Sequence, residues 1–278
     1  MKHLIAFCCI PLLVGCAAPG VPASVDTPLG LTAEEVEPEG QMPAAVLSLS
    51  GLEPPESRHT METPDTASAD TMGDIICDEI LPDGTEIVCY WAPGTEYTKY
   101  WAIRQGDALL RFCEEESGYR EDYRVEPFSG VLGHDGFRIL CPRGSSYYAD
   151  DYYYLDGDGV PRLLAACSGS VLARDMDNDG QRELLWLSGG AVPSIYYVFQ
   201  HEGTTCQVDI TQWLRDSLGE TWLPLPDWEQ WKNGTCSISL LNWEENNPSL
   251  VVEGYVVFTE ESIQLFLSEG LLEPEAAV

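Results

Sequence analysis

The chain is 278 residues long and carries 46 Asp and Glu against 14 Lys and Arg, a formal net charge of −32. With an isoelectric point near 4.1, it lacks the clustered Lys and Arg that phosphate backbones require, so no nucleic-acid partner is expected and anionic lipid head groups should repel it. The length suits one domain with a substantial core and a tail, and leaves little room for two large domains.

At the start, Lys2 precedes an apolar stretch from Leu4 to Leu13, and Leu12-Leu13-Val14-Gly15-Cys16 closes it with small residues before a cysteine. This is how a bacterial lipoprotein export signal reads: residues 1–15 are removed and the Cys16 thiol is acylated. The apolar run is too short to cross a bilayer as a permanent helix. Attachment to a membrane is therefore expected through lipid on Cys16, with more than one acyl chain for stable anchoring. The expected location is the bacterial cell envelope, outside the cytoplasm.

From Ala17 to about Gly73 the chain is rich in Pro, Glu, Ala, Ser and Thr, has Arg58 as its only Lys or Arg, and shows no apolar periodicity beyond Ala44 to Leu52. Residues 16–73 are read as a disordered acidic linker, because so little apolar surface cannot offset the entropy of ordering. Its r.m.s. reach of roughly 40 Å would hold a β-rich globular domain, residues 74–275, clear of the membrane.

Beyond Gly73, short β-branched and aromatic runs alternate with Gly, Asp, Asn and Pro, as in consecutive antiparallel hairpins. The first joins Ile75–Ile80 to Thr85–Trp91, the second Tyr97–Arg104 to Ala108–Cys113, and the third Phe128–Leu132 to Phe137–Cys141 across Gly133-His134-Asp135-Gly136. Tyr147–Leu155 turns through Asp156-Gly157-Asp158-Gly159 into Val160–Cys167. Ser194–Gln200 turns into Thr204–Val208, and Cys236–Trp243 meets Leu250–Phe258. The fold class is mainly β: a hairpin meander in a partial or small propeller-like arrangement, or alternatively an α+β sandwich.

Two short helices are expected within it. Asp209 and Gln212 form a capping box before Trp213-Leu214-Arg215-Asp216-Ser217-Leu218, and Gly219 supplies the stop. Thr259 can cap a second helix over Glu260–Glu269, with Ile263, Phe266 and Leu267 on one face and Gly270 at its end.

Seven cysteines lie beyond the acylation site, at 77, 89, 113, 141, 167, 206 and 236. None is in a CxxC or Cys/His cluster, so structural zinc is poorly supported, and export permits disulfides. The turn Leu81-Pro82-Asp83-Gly84-Thr85 pairs Leu81 with Thr85, and counting back sets Cys77 opposite Cys89. Cross-strand neighbours lie close enough for a bridge, although a hydrogen-bonded register would strain it.

The strongest internal motif is Asp175-Met176-Asp177-Asn178-Asp179-Gly180-Gln181-Arg182-Glu183. Carboxylates at every second position before a turning glycine suit calcium, which gathers several oxygens: Asp175, Asp177 and Asp179 converge, the Gln181 carbonyl points inward, and Glu183 closes the site around one ion. Without a cation, repulsion among these acids would open the loop. The next residues, Leu184-Leu185-Trp186-Leu187, read as a strand and not as the second helix of an EF-hand. Loop followed by strand resembles the calcium loops of FG-GAP and VCBS-type repeats, the blades of integrin-α-like propellers. In those repeats ligands occupy the positions matched here by Asp175, Asp177, Asp179, Gln181 and Glu183. The resemblance covers about residues 147–187. An apparent earlier copy, Tyr154 to Arg162, has Tyr154 and Arg162 at the first and closing ligand positions and should hold no calcium. The chain is also too short for the complete seven-bladed ring.

There is no HExxH, GxSxG or phosphate-cradling glycine loop, and beyond the signal only His59, His134 and His201 are available for a triad. Trp213, Trp222, Trp228 and Trp231 cluster around Pro224 and Pro226, which makes Trp222, Trp228 and Trp231 a candidate ligand surface. The expectation is a non-enzymatic, lipid-anchored surface protein. Its calcium-stabilised β domain would bind an extracellular ligand, glycan or protein, or an envelope partner. The alternative is an envelope carbohydrate-active hydrolase, since glycoside hydrolysis needs only two carboxylates at a fixed separation.

Overall fold

The computed structural model describes residues 42–50, 52, 64–95, 97–116, 123–142, 148–188, 194–219, 221–226, 235–244 and 247–267. Cys16 and the export signal lie outside them. They form three antiparallel sheets with one α-helix, so the mainly β class and the hairpin meander expected from the sequence are present.

Four successive meanders, here called leaves, make up the fold. The first contains β3 (Ile75–Ile80), β4 (Glu86–Trp91), β5 (Thr98–Gln105) and β6 (Ala108–Glu116); the second contains β7 (Arg124–Val131), β8 (His134–Pro142), β9 (Tyr148–Leu155) and the first half of β10 (Pro161–Arg174). The third runs from the second half of β10 through β11 (Glu183–Ser188) and β12 (Ile195–His201) to β13 (Thr204–Asp209). The fourth contains β14 (Trp222–Pro226), β15 (Thr235–Glu244), β16 (Asn247–Phe258) and β17 (Ser262–Leu267). The second and third leaves are one seven-stranded sheet, β13-β12-β11-β10-β9-β8-β7. They share β10, which pairs with β9 up to Ser168 and with β11 from Gly169. Gly169 sits at that change of partner with φ of +144°, and an added Cβ would strike the Leu187 carbonyl, so glycine is required where the strand passes between leaves.

Period-two alternation gives each leaf two apolar faces, and neighbouring leaves bury them together. Ile87, Cys89, Trp101 and Phe112 of the first leaf share a core with Phe137, Ile139 and Tyr153 of the second. On the opposite face of the second leaf, Val131, Leu132, Tyr152 and Leu164 pack with Leu184, Trp186 and Val198 of the third. Leu185, Tyr197 and Phe199 then meet Ile238, Leu240, Val252, Val256 and Ile263 of the fourth. The helix α1 (Ile210–Leu218) seals this last core with Ile210, Trp213 and Leu214. As expected, Asp209 is its N-cap, accepting from Gln212 N at 2.9 Å, and Gly219 follows its last turn.

The second helix does not form: Ser262–Leu267 is a strand, β17, between β16 and β1 (Ala45–Ser48). The same residues satisfy both periods over so short a stretch, and Ser262 and Gln264 facing away from buried Ile263 and Leu265 fits the strand. Thr259 closes a tight turn, where its Oγ1 accepts from Ser262 N at 3.0 Å and its own N–H donates to the Ser262 carbonyl. Ladders on both sides then decide the matter, because local propensity is a weak prior beside tertiary pairing.

Two strands also fall inside the stretch read as linker. β1 adds to β17, and β2 (Asp65–Ser68) adds to β6, with a short 3-10 turn at Ala69–Thr71 after it. Each caps a sheet edge through backbone hydrogen bonds, which takes only four residues and little apolar surface. Asp65 adds a two-point contact to Arg111 through Nε at 2.6 Å and through Nη2. The third hairpin turns at Leu132-Gly133, so His134 and Asp135 belong to β8. Cys77 stands opposite Cys89 as counted from the turn, and both are buried free thiols. No helix among the described residues is long and apolar enough to cross a membrane.

Candidate metal centre

The loop from β10 to β11 contains the acidic motif. Asn178 at φ +64° and Gly180 at φ +90° fold it tightly, and the backbone of the loop holds its own carboxylates. Asp175 Oδ2 accepts from Gly180 N at 3.1 Å, Asp177 Oδ1 from Asp179 N at 3.1 Å, and Glu183 Oε2 from Met176 N at 2.5 Å. Glu183 is buried and anchors the end of the loop, while Met176 points into the core between the third and fourth leaves.

Asp175, Asp177 and Glu183 each direct a carboxylate oxygen to a common point, with the three oxygens within 4.8 Å of one another. Oxygens that each lie roughly 2.4 Å from one ion can be no more than about 4.8 Å apart, and the spacing of the three meets that limit. Asp175 Oδ1 is buried with no hydrogen-bond partner, and so is the hydroxyl of Tyr197. Tyr197 sits on β12 opposite Leu185, on the core face that Leu185 shares with Glu183. Burial first, then the charges of Glu183, Asp177, Asp179 and Asp175, push the Tyr197 phenol well above its usual range. Burial likewise pushes Glu183 up to about 8, with Asp177 and Asp179 adding to it. Asp177 is raised by burial and then by Asp179 and Asp175. A cluster of hard oxygens that lacks positive charge fits a divalent cation such as calcium.

One of the expected ligands, Asp179, stands apart from this trio. Asp179 turns to Gln181, accepting its N–H and its side-chain Nε2–H, each at 2.7 Å. The other end of the Gln181 amide lies against Gly133, where an added Cβ would strike Oε1. This second contact, which docks the loop onto the β7–β8 turn, joins segments too far apart in the chain for any local pattern to signal it. Arg182 N donates to the Gly130 carbonyl at 3.0 Å, and Leu132 N donates to the Arg182 carbonyl at 2.8 Å. Val131 and Arg182 form a parallel bridge. Asp135 steadies the turn by accepting from the Ser129 hydroxyl at 2.5 Å and from Gly130 N at 2.9 Å. The signal that could have pointed here is Gly130 and Gly133 flanking apolar Val131-Leu132. Tyr197 left no signal, because it reads as one more aromatic on an apolar strand.

Of the candidate aromatic surface, only Trp222 is among the described residues. Trp222 lies on β14 beside Asn242 of β15, while Trp228 and Trp231 lie outside the described residues. Of the tyrosines on β9, Tyr152 and Tyr153 are core residues and Tyr154 stacks on His134 at 4.1 Å. A separate buried chain links Lys99 Nζ to the Tyr123 hydroxyl at 2.7 Å, and that hydroxyl to Glu115 at 2.9 Å. Its opposite charges offset each other within the first core.

No protein-family model matches the chain, and no curated protein does.

Proposed function

We propose that this is a non-catalytic, exported lipoprotein whose β domain is stabilised by one calcium ion and presents its loops to an extracellular ligand or envelope partner. The observation that carries the metal half is the convergence of Asp175, Asp177 and Glu183 beside two buried polar atoms without hydrogen-bond partners, Asp175 Oδ1 and the Tyr197 hydroxyl. The order of loop and then strand β11 supports the likeness to FG-GAP and VCBS-type loops. Asp175, Asp177 and Glu183 would hold the ion, and calcium would supply the positive charge that lets three carboxylates face one another. The export pattern ending at Cys16 supports the anchor.

The test is calcium titration of the full chain by calorimetry and thermal melting, beside Asp177→Ala. Saturable one-to-one binding that raises the melting temperature, and that the variant loses, is expected. If a chelator changes neither the melting temperature nor the heat of added calcium, the metal reading is wrong. Growth in labelled fatty acid, with label lost in Cys16→Ser, checks the anchor independently.

A further inference from the structure

We propose that Cys77 and Cys89 form a reversible cross-strand disulfide, closed by thiol–disulfide exchange and strained enough for a dithiol to reopen it in the folded protein. They are direct cross-strand partners and share the core between the first and second leaves. None of the other five has a cysteine opposite it: Cys113 faces Trp101, Cys141 faces Ala149, Cys167 faces Asp150, Cys206 faces Phe199 and Cys236 faces Val256.

The turn fixes which kind of pair this is. Leu81 N donates to the Thr85 carbonyl, so 81/85 is a hydrogen-bonded pair, and alternation along the ladder makes 79/87 and 77/89 hydrogen-bonded too. Such partners have Cα atoms about 5.5 Å apart, inside disulfide range, but their Cβ atoms lie at the far side of what the bond prefers. A bond formed there is strained, and strained disulfides are the reducible ones. The register slip between Ile75 and Cys77 gives β3 some freedom to adjust.

Placement supplies the use. β3 is the edge of its sheet, and Cys77 is its only buried residue; Ile75 and Ile80 are 40% and 70% exposed. Little packing holds this strand, so a covalent tie to β4 has a large effect on its fraying. In the exchange, the Cys77 thiolate attacks one sulfur of an oxidised dithiol or glutathione disulfide and expels the other as thiolate. The Cys89 thiolate then attacks the Cys77 sulfur of the mixed disulfide and releases the second. The two cysteines lose two protons and two electrons, and the oxidant becomes two thiols. Burial pushes the Cys77 thiol up to about 11 and Cys89 higher still, so exchange proceeds through opening of β3.

The experiment treats the folded full chain with oxidised glutathione, blocks remaining thiols and maps the peptides. Residues 59–99 contain no internal Lys or Arg, so both cysteines fall in one tryptic fragment. The expected result is that fragment lighter by two hydrogens and unblocked, with exchange of β3 amides slowed roughly tenfold. Dithiothreitol should reverse both changes without unfolding, and Cys77→Ser should show neither. The proposal is overturned if both thiols are blocked after oxidation, if either is bonded to Cys113 or Cys141 instead, or if the bond reopens only on denaturation.

Discussion

Two Asp-Gly turns flank β10, and they solve the same electrostatic problem in opposite ways. In the first, Asp156 Oδ1 accepts from Asp158 N and Val160 N, and its Oδ2 accepts from Arg162 Nε at 2.8 Å. The Val160 and Arg162 bonds hold its carboxyl below the usual carboxylate range. In the second, Asp177 makes the same bond to the amide two residues on, from Asp179, yet its carboxyl is raised. The surroundings make the difference: Asp156 has an arginine, Arg162, at the close of its turn, whereas Asp177 is raised first by burial and then by Asp179 and Asp175, in a turn that ends on a buried acid, Glu183. One turn pairs its acid with a cation of the protein, and the other is the turn at which we propose that calcium supplies the positive charge.

The largest effect should come from supplying or withdrawing that charge. At free calcium about 100 times Kd, a site present only in the folded state contributes about 2.7 kcal/mol, which is roughly 5–10 °C in melting temperature for a domain of this size. Glu183→Gln should lose most of this gain, and Asp156→Ala should leave it intact. Calorimetric melts of the two variants with and without calcium give the answer. An equal loss in both would erase the distinction between the turns.

Asp150 is an intermediate case, a buried acid with only part of an answer. Arg138 reaches it at 3.5 Å but also serves Glu126 at 2.6 Å and lies near the Tyr152 hydroxyl, while Cys167 stands opposite on β10. Burial raises Asp150 to about 6, against the Arg138 charge that lowers it. Its folded pKa is therefore above its unfolded one. Below about pH 4 both states are protonated and the group contributes nothing. Between about 4 and 6 the unfolded chain ionises first, and above 6 a destabilisation of about 3 kcal/mol remains. Asp150→Asn should thus gain stability over the natural chain as pH rises from 4 to 7, and urea melts across that range should show the gap opening. A gap that closes with rising pH would reverse the assignment.

Much of this contrast was readable beforehand. The alternation of 175, 177 and 179, the closing Glu183, and Tyr154 and Arg162 at the matching places of the earlier turn all stand in the sequence. Most strands were legible as well, because turn residues and period-two runs agree with the tertiary pairing. What remained hidden depends on distant chain. Ser262–Leu267 becomes a strand because β1 and β16 flank it, and β1 and β2 are strands because sheet edges accept their backbones. Nothing in a polar stretch announces that. A chain trimmed at residue 74 would lose both edge strands. Asp179 also reads as a ligand, and its place beside Gln181, outside the trio, depends on how the loop closes.

Docking of the loop on the β7–β8 turn gives a smaller test. Gly133 combines φ of +72° with close approach of Gln181. The Gln181 amide can swing aside, so the strain of a left-handed alanine dominates, and Gly133→Ala should cost about 1 kcal/mol. It should also weaken calcium binding, since Arg182 hangs on the same turn through Gly130 and Leu132. Unchanged affinity in a destabilised variant would mean that the loop binds independently of its dock.

The smallest expected effect discriminates most sharply. Arg162→Glu places an acid at the closing position of the first turn and removes its ion pair to Asp156. Arg162 is half exposed, so the loss of stability should be small. It should not create a second calcium site. The first ligand position there is Tyr154, stacked on His134, and both oxygens of Asp156 accept bonds from the turn itself, while among the described residues no acidic cluster forms there. Calorimetry should still give one calcium per chain. Two would show that counting carboxylates along a turn suffices, and that the preassembled trio of half-buried Asp175 and Asp177 with buried Glu183 is not what selects the ion.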